Sequence, residues 1–367
     1  MNFSSITKPL SIGRKKPANL VGLDIEAGSV AAAEIRVNGS TQVTAAGIRS
    51  LPTGVFHDGE VADGDGLAEA LKALFSENKL SKRVRLGIGN QRVIARTLRL
   101  PAIEDPKEMA AAVRFQAQEQ IPMPLDQAVL EYQVVGGVPA APDSPPQVDV
   151  VVIAARRDMI ASFLEPMRRA GLEPAGVDLS AFGMIRSLAE DQPGVVLEGE
   201  SVPDEAVLYC NFGGVMNLAV ARRRACLFTR VSGIGVEGIV GKLVSESGLT
   251  PEHASQWLVY VGLDRQPEQI EGDPEVVAAA RRALEEGIGG VVDELRLSLD
   301  YYAAQDSAVP VSRVVMCGFG SAIPGLPVRI EEQINLPIAV MRPPALAGYD
   351  DTTAARLTLP LGLALES

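Results

Sequence analysis

The chain has 367 residues, 47% hydrophobic and 4% aromatic, with a formal net charge of −12 at pH 7. That length supports two lobes with cores of Val, Leu, Ile and Ala, which suits the buried strands of an α/β protein. The acidic balance excludes general nucleic-acid binding through the phosphate backbone. Two histidines far apart in sequence, His57 and His253, argue against a His-based metal site or triad, and no apolar run approaches the ~20 residues of a membrane-crossing helix.

Residues 1–19 carry Lys8, Arg14, Lys15 and Lys16 and no acid. They read as a basic disordered tail; the sharper reading is weak attraction to anionic headgroups, roughly 1 kcal/mol per basic residue. No apolar core follows the basic cluster, so it is not a signal peptide. Residues 20–50 alternate as a strand meander, turning at Val37-Asn38-Gly39-Ser40. An amphipathic helix over Leu67 to Glu77 comes next, then strands over Val84 to Ile88 and Val93 to Leu100, separated by the tight-turn dipeptide Gly89-Asn90. Asp105-Pro106 opens a helix with Met109, Ala112, Val113, Gln116 and Ile121 inward, and Pro122 and Pro124 stop it at Ile121. Strands over Val129 to Val135 and Val148 to Ala155 flank a Pro-, Gly- and Ala-rich joint, 136–147, expected to be a mobile loop.

A helix then runs to about Arg169 with Gly171 as its cap, Val177 to Leu179 is a strand, and Ser180 to Glu190 a helix. The second lobe is expected from about Phe228, entered through Gly233-Ile234-Gly235. Val236 to Ser247 is a helix, and Thr250 caps another with Pro251 at its first position. Val276 to Ala304 is one long helix or a pair broken at Gly287, Gly289 and Gly290. Strands over Val311 to Met316 and Ile338 to Met341 follow, then a short helix over 352–367. Cys210, Cys226 and Cys317 sit in apolar strand contexts without metal-ligand spacing; they read as buried hydrophobes in a reducing, cytoplasmic compartment.

Three glycine-bearing turns recur in fixed order after apolar runs: Gly22-Leu23-Asp24-Ile25-Glu26-Ala27-Gly28-Ser29, Cys210-Asn211-Phe212-Gly213-Gly214, and Cys317-Gly318-Phe319-Gly320-Ser321. Together they resemble the phosphate-1, phosphate-2 and adenosine loops of the superfamily that holds actin, heat-shock chaperones and sugar kinases. The resemblance implies a two-lobed actin-like α/β fold and a Mg-ATP cleft at Asp24, Gly28, Ser29, Asn211, Gly213, Gly214, Gly318, Gly320 and Ser321, with Asp178 and Ser180 near the attacking water. Asp178 equally suits a helix cap.

The run from Met109 through Phe115-Gln116-Ala117-Gln118-Glu119-Gln120-Ile121-Pro122-Met123-Pro124-Leu125-Asp126 narrows the family. With Val129 to Val134, Ala154-Ala155-Arg156, Gly171 to Asp178 and Glu294 to Tyr302, it resembles the type IV pilus assembly protein PilM family, itself similar to the division protein FtsA. FtsA ends in an amphipathic membrane helix, whereas this chain ends in the short acidic Leu361 to Ser367. The family resemblance implies a cytoplasmic scaffold at the inner face of the membrane, held there through partners. A small inserted α/β subdomain would bind the N-terminal peptide of PilN. Candidate contacts are Phe115, Gln118, Ile121, Met123 and Tyr132; other pilus assembly proteins and a homo-oligomer are compatible partners. The expected boundaries are lobe one at 20–100 and 176–227, the insert at 101–175, lobe two at 228–350, and a C-terminal helix at 351–367 returning to lobe one.

Measured against the superfamily pattern, the cleft departs in several places. Glu26 stands where glycine is usual, so a carboxylate faces the phosphate position, and Asn211 stands where a metal-orienting aspartate is usual. The family's charged adenosine contacts fall at Ser255 and Leu258, and Phe319 interrupts the third glycine run. These departures imply weak or absent ATP and Mg binding and lost hydrolysis. A working actin-like ATPase is the competing reading.

Overall fold

The computed structural model describes residues 19–138, 146–189, 205–305 and 308–365. The basic tail apart from Asn19, most of the 136–147 joint and the last two residues lie outside them. Chain order is β1 (Val21–Glu26), β2 (Ser29–Asn38), β3 (Ser40–Ser50), β4 (Phe56–His57), β5 (Glu60–Val61), α1 (Gly64–Glu77), β6 (Arg83–Ile88), β7 (Ile94–Pro101), α2 (Pro106–Gln120), β8 (Ala128–Val138), β9 (Gln147–Arg156), α3 (Arg157–Arg169), β10 (Glu173–Leu179) and α4 (Ser180–Leu188). The second half continues as β11 (Ala206–Phe212), β12 (Met216–Arg222), β13 (Ala225–Ser232), α5 (Val236–Ser247), α6 (Pro251–Val261), α7 (Pro274–Ala303), β14 (Val311–Cys317), α8 (Leu326–Ile334), β15 (Ile338–Val340) and α9 (Asp351–Ala364).

Two five-stranded sheets share one plan, β3-β2-β1-β6-β10 and β13-β12-β11-β14-β15. In each, three antiparallel strands are followed by two parallel ones. Alternation along the strands decides which helices cover which face. Val21, Leu23 and Ile25 of β1 pack with Val84, Leu86 and Ile88 of β6 under α1 and α3. In the second sheet Leu208, Cys210 and Phe212 face α5, α6 and α7, while Tyr209 faces the other way, toward α4. Helices α4 and α9 thus fill the space between the sheets, with α9 touching β1 and β2 and Leu359 joining the α4 core.

Several expectations change here. β6 and β7 do not form a hairpin: they lie in different sheets, because Asn90 binds the Gly59 carbonyl through Nδ2 (2.7 Å) and caps the Arg92 amide through Oδ1 (2.7 Å), turning the chain away. The small sheet β7-β9-β8 contains β7, and α3 packs its Met159, Phe163 and Met167 into the first-lobe core, so the cuts at 101 and 175 fall inside β7 and beyond α3. β11 and β12 belong to the second sheet, which moves the start of lobe two from 228 back to β11. α7 is continuous; at Gly287 a Cβ would lie 2.6 Å from Ile239 Cδ1, so that glycine admits α5 rather than breaking the helix. The capping residues Asp105 and Thr250 do accept bonds from first-turn amides.

Candidate functional site

The cleft between the sheets is built by the ends of β1, β11 and β14. β1 turns into β2 through Ala27 and Gly28, the latter at φ +78°, and β11 turns into β12 through Gly213 to Val215. The two turns face each other in contact. A Cβ on Gly213 would lie 2.0 Å from Glu26 Oε1, and one on Gly214 would lie 3.2 Å from the Ala27 nitrogen. Asn211 Nδ2 donates to Glu26 Oε1 at 3.2 Å, and the Gly214 amide also donates to that carboxylate. The third turn closes on the second: a Cβ at Gly318 would meet Asn211 Oδ1 at 2.4 Å, and Ser321 Oγ donates to the Gly318 carbonyl at 2.7 Å.

Deeper in the cleft, buried Asp24 accepts a 3.4 Å hydrogen bond from Ser180 Oγ. Burial holds the Asp24 carboxyl well above the ordinary carboxylate range, and the neighbouring Glu26 raises it further. Burial also raises Glu26, while the positive charge of Arg356 and the Asn211 amide pull it back down. Arg356 reaches in from α9; its Nη1 donates to Ser29 Oγ at 3.0 Å and its guanidinium lies 4.5 Å above the Phe319 ring. Sequence reasoning missed Arg356, whose signal is that it is the lone basic residue of the last helix.

The structure therefore brings Asp24, Ser29, Asn211, Gly213, Gly214, Gly318 and Ser321 together around the turns, with Gly320 packed on the Phe212 ring. Gly28 supplies the turn itself. Asp178 is placed elsewhere: it pairs with Arg186 at 2.5 Å, and Arg186 Nε in turn donates to the Gly362 carbonyl. Leu258 is fully buried in the second-lobe core with Ala254 and Val261, and Ser255 bonds the Pro251 carbonyl. Leu258 is therefore a core residue of α6, not a cleft residue. His57 of β4 bonds Glu237 of α5 at 2.5 Å, and that contact, with Asp58 beside it, raises its imidazolium above the usual range.

The inserted unit has two faces. α2 covers the one that carries Leu98, Val150 and Val152, and Ile121 is buried there in the unit's own core, so it offers no contact surface. Met123 and Tyr132 are half-buried against that core. Phe115, by contrast, is 68% exposed, Gln118 is exposed, and Val134, on the strand face that α2 covers, is 47% exposed. Across the sheet, Thr97, Arg99, Asp149 and Val151 line a groove of about 400 Å³ against Phe228 and Tyr301 of the second lobe. Arg99 pairs with Asp149 at 2.8 Å on its floor, and the two aromatic rings are 5.8 Å apart. Among the described residues no helix is long and apolar enough to cross a membrane.

Against known proteins, a family model described as type IV pilus assembly protein PilM matches residues 22–365. A solved PilM-PilN type IV pilus biogenesis complex is similar at 25% identity and TM-score 0.74, covering 94% of this chain and 97% of that one. The ethanolamine utilization protein EutJ from Carboxydothermus hydrogenoformans is similar at 13% identity and TM-score 0.51, over 95% of this chain and 89% of that chain. MreB5 of Spiroplasma citri bound to ADP is similar at 13% identity and TM-score 0.50, over 94% and 95%. These last two show a shared actin-like fold.

Proposed function

The chain belongs to the type IV pilus assembly protein PilM family, and from that footing we propose that it is a scaffold that reads the N-terminal cytoplasmic peptide of a PilN-like partner through its inserted unit. The scaffold sits at the cytoplasmic face of the inner membrane, held there by its partners, and contacts other pilus assembly proteins. The observation that carries the reading is exposed apolar surface on the insert: Phe115, near Gln118 on α2, and Val134 on β8. An aromatic side chain left two-thirds in water on an otherwise polar helix face marks a contact surface. β8 is an edge strand of its sheet, so an extended peptide can add to it by main-chain hydrogen bonds beside the exposed Val134. The likeness to a solved PilM-PilN complex supports the partner.

A calorimetric titration of that peptide into the full chain tests this. Phe115→Ala is expected to weaken binding about tenfold, roughly 1.4 kcal/mol, and Gln118→Ala less. If Tyr301→Ala abolishes binding while Phe115→Ala does not, the seat is the opposite groove. If the folded parent binds nothing, the reading fails.

The second reading is a working ATPase, and one arrangement favours it: Asp24 is buried in the cleft with Ser180 beside it. Phosphate release with Mg-ATP by the parent would support it. The packed turns and Glu26 support a cleft in which Mg-ATP binding is weak or absent.

A further inference from the structure

We propose that the facing turns form an anion seat already taken by the chain's own Glu26 carboxylate, which pins the two lobes together where a phosphate would otherwise lie. This rests on the reading that the cleft no longer depends on nucleotide. The seat is assembled from several directions. Glu26 comes from the end of β1 in the first lobe. From the second lobe, Asn211 Nδ2 donates to it at 3.2 Å and the Gly214 amide donates alongside. From α9, Arg356 supplies the counter-charge, held by Ser29 Oγ at 3.0 Å and by the Phe319 face at 4.5 Å. A turn amide and a side-chain amide donating to one anion, with a guanidinium nearby as counter-charge, is an arrangement that also suits phosphate oxygens.

Two further facts fit this arrangement. The space at the turn is full, since a single Cβ on Gly213 would lie 2.0 Å from Glu26 Oε1 and a phosphoryl group is larger than a methyl. The Arg356 Nε is buried and has no hydrogen-bond partner, so one donor of the seat goes unused by the side chain that occupies it. Burial works against the charge on Glu26, and the positive charge of Arg356 opposes that effect, which makes Arg356 the group that favours the anion there. Because Glu26 and its donors lie on opposite lobes, the same contact fixes the closure of the cleft.

Emptying the seat should make it take a free anion. The experiment is a thermal-unfolding series on the full chain with inorganic phosphate at constant ionic strength, comparing parent, Glu26→Ala, and Glu26→Ala with Arg356→Met. The parent is expected to ignore phosphate. Glu26→Ala is expected to unfold at a lower temperature without phosphate and to recover by about 3 °C or more with it. The double variant is expected to show no recovery. A parent that responds as strongly as Glu26→Ala, or a folded Glu26→Ala that does not respond, overturns the proposal. If Glu26→Ala does not fold, Glu26→Gln keeps the side-chain shape without the charge. Faster hydrogen exchange at the Gly213 and Gly214 amides than in the parent then supports the pin, and unchanged exchange refutes it. None of these readouts involves the partner peptide, so a failed peptide titration and a failed phosphate series are separate results.

Discussion

At position 26 a carboxylate lies between the β1–β2 and β11–β12 turns where they face each other. By the resemblance, Asn211 stands where a metal-orienting aspartate is usual, and an amide cannot hold the water shell of Mg²⁺ as a carboxylate does. Replacing both, Glu26→Gly with Asn211→Asp, is expected to give measurably tighter Mg-dependent ATP binding by calorimetry than the parent. The two side chains touch, so their effects should couple rather than add; equal binding by parent and double variant would contradict this. Asp24 makes a pH prediction. Its folded-state pKa is raised, chiefly by burial, so the folded chain holds a proton that the unfolded chain releases near pH 4. Its contribution is present below that pH and is lost as pH rises through the folded value. Asp24→Asn keeps an acceptor for Ser180, and is expected to flatten the stability profile above pH 4 and raise the unfolding midpoint at pH 7.5. A lower midpoint at pH 7.5 would count against it. Asp24, Glu26 and Asn211 were legible in the sequence because each belongs to a turn motif of a few residues. Arg356 was not, because it arrives from the far end of the chain; Ile121 is inward as its pattern predicts, so its place among the candidate contacts does not hold, and Leu258 lies in the core because burial is settled by what packs on a helix face.

Elements whose ends are set by local chemistry were readable from sequence. The helix caps at Asp105 and Thr250 and the stop at Ile121 follow from hydrogen bonds and prolines within four residues, and the structure has them. Removing one such cap, Asp105→Ala, is expected to cost about 1 kcal/mol in chemical denaturation, and no measurable change would contradict the cap. What the sequence did not reveal was where each strand goes. The Gly89-Asn90 turn looks like a hairpin, yet Asn90 spends its side chain on Gly59 and Arg92 and sends β7 into another sheet. The glycines of α7 were similarly ambiguous, since a helix breaker and a site of close helix approach use the same residue. In α9 the approach is unusually close: a Cβ on Gly362 would lie 1.8 Å from the Gly183 carbonyl oxygen. Gly362→Ala must therefore push α9 off α4, and is expected to lose about 1–3 kcal/mol, the usual range for overpacking. A variant as stable as the parent would mean that the two helices separate freely.

Across the whole molecule, the repeated sheet plan places α4 and α9 between two lobes that each keep an independent core on their outer side. The actin-like class was legible because the three turns come in a fixed order. The lobe and insert boundaries were not, since sheet membership depends on pairing between strands remote in sequence, such as β6 with β10. The insert keeps its own small core and an exposed Phe115, while its other sheet face turns toward Phe228 and Tyr301 of the second lobe. Recognition can therefore sit there while the cleft stays closed on Glu26. That separation is tested by calorimetric titration of the PilN-like N-terminal peptide into the full chain, with and without Mg-ATP. Saturable binding with the same Kd in both conditions is expected; binding that appears only with Mg-ATP, or no binding in either, would contradict it.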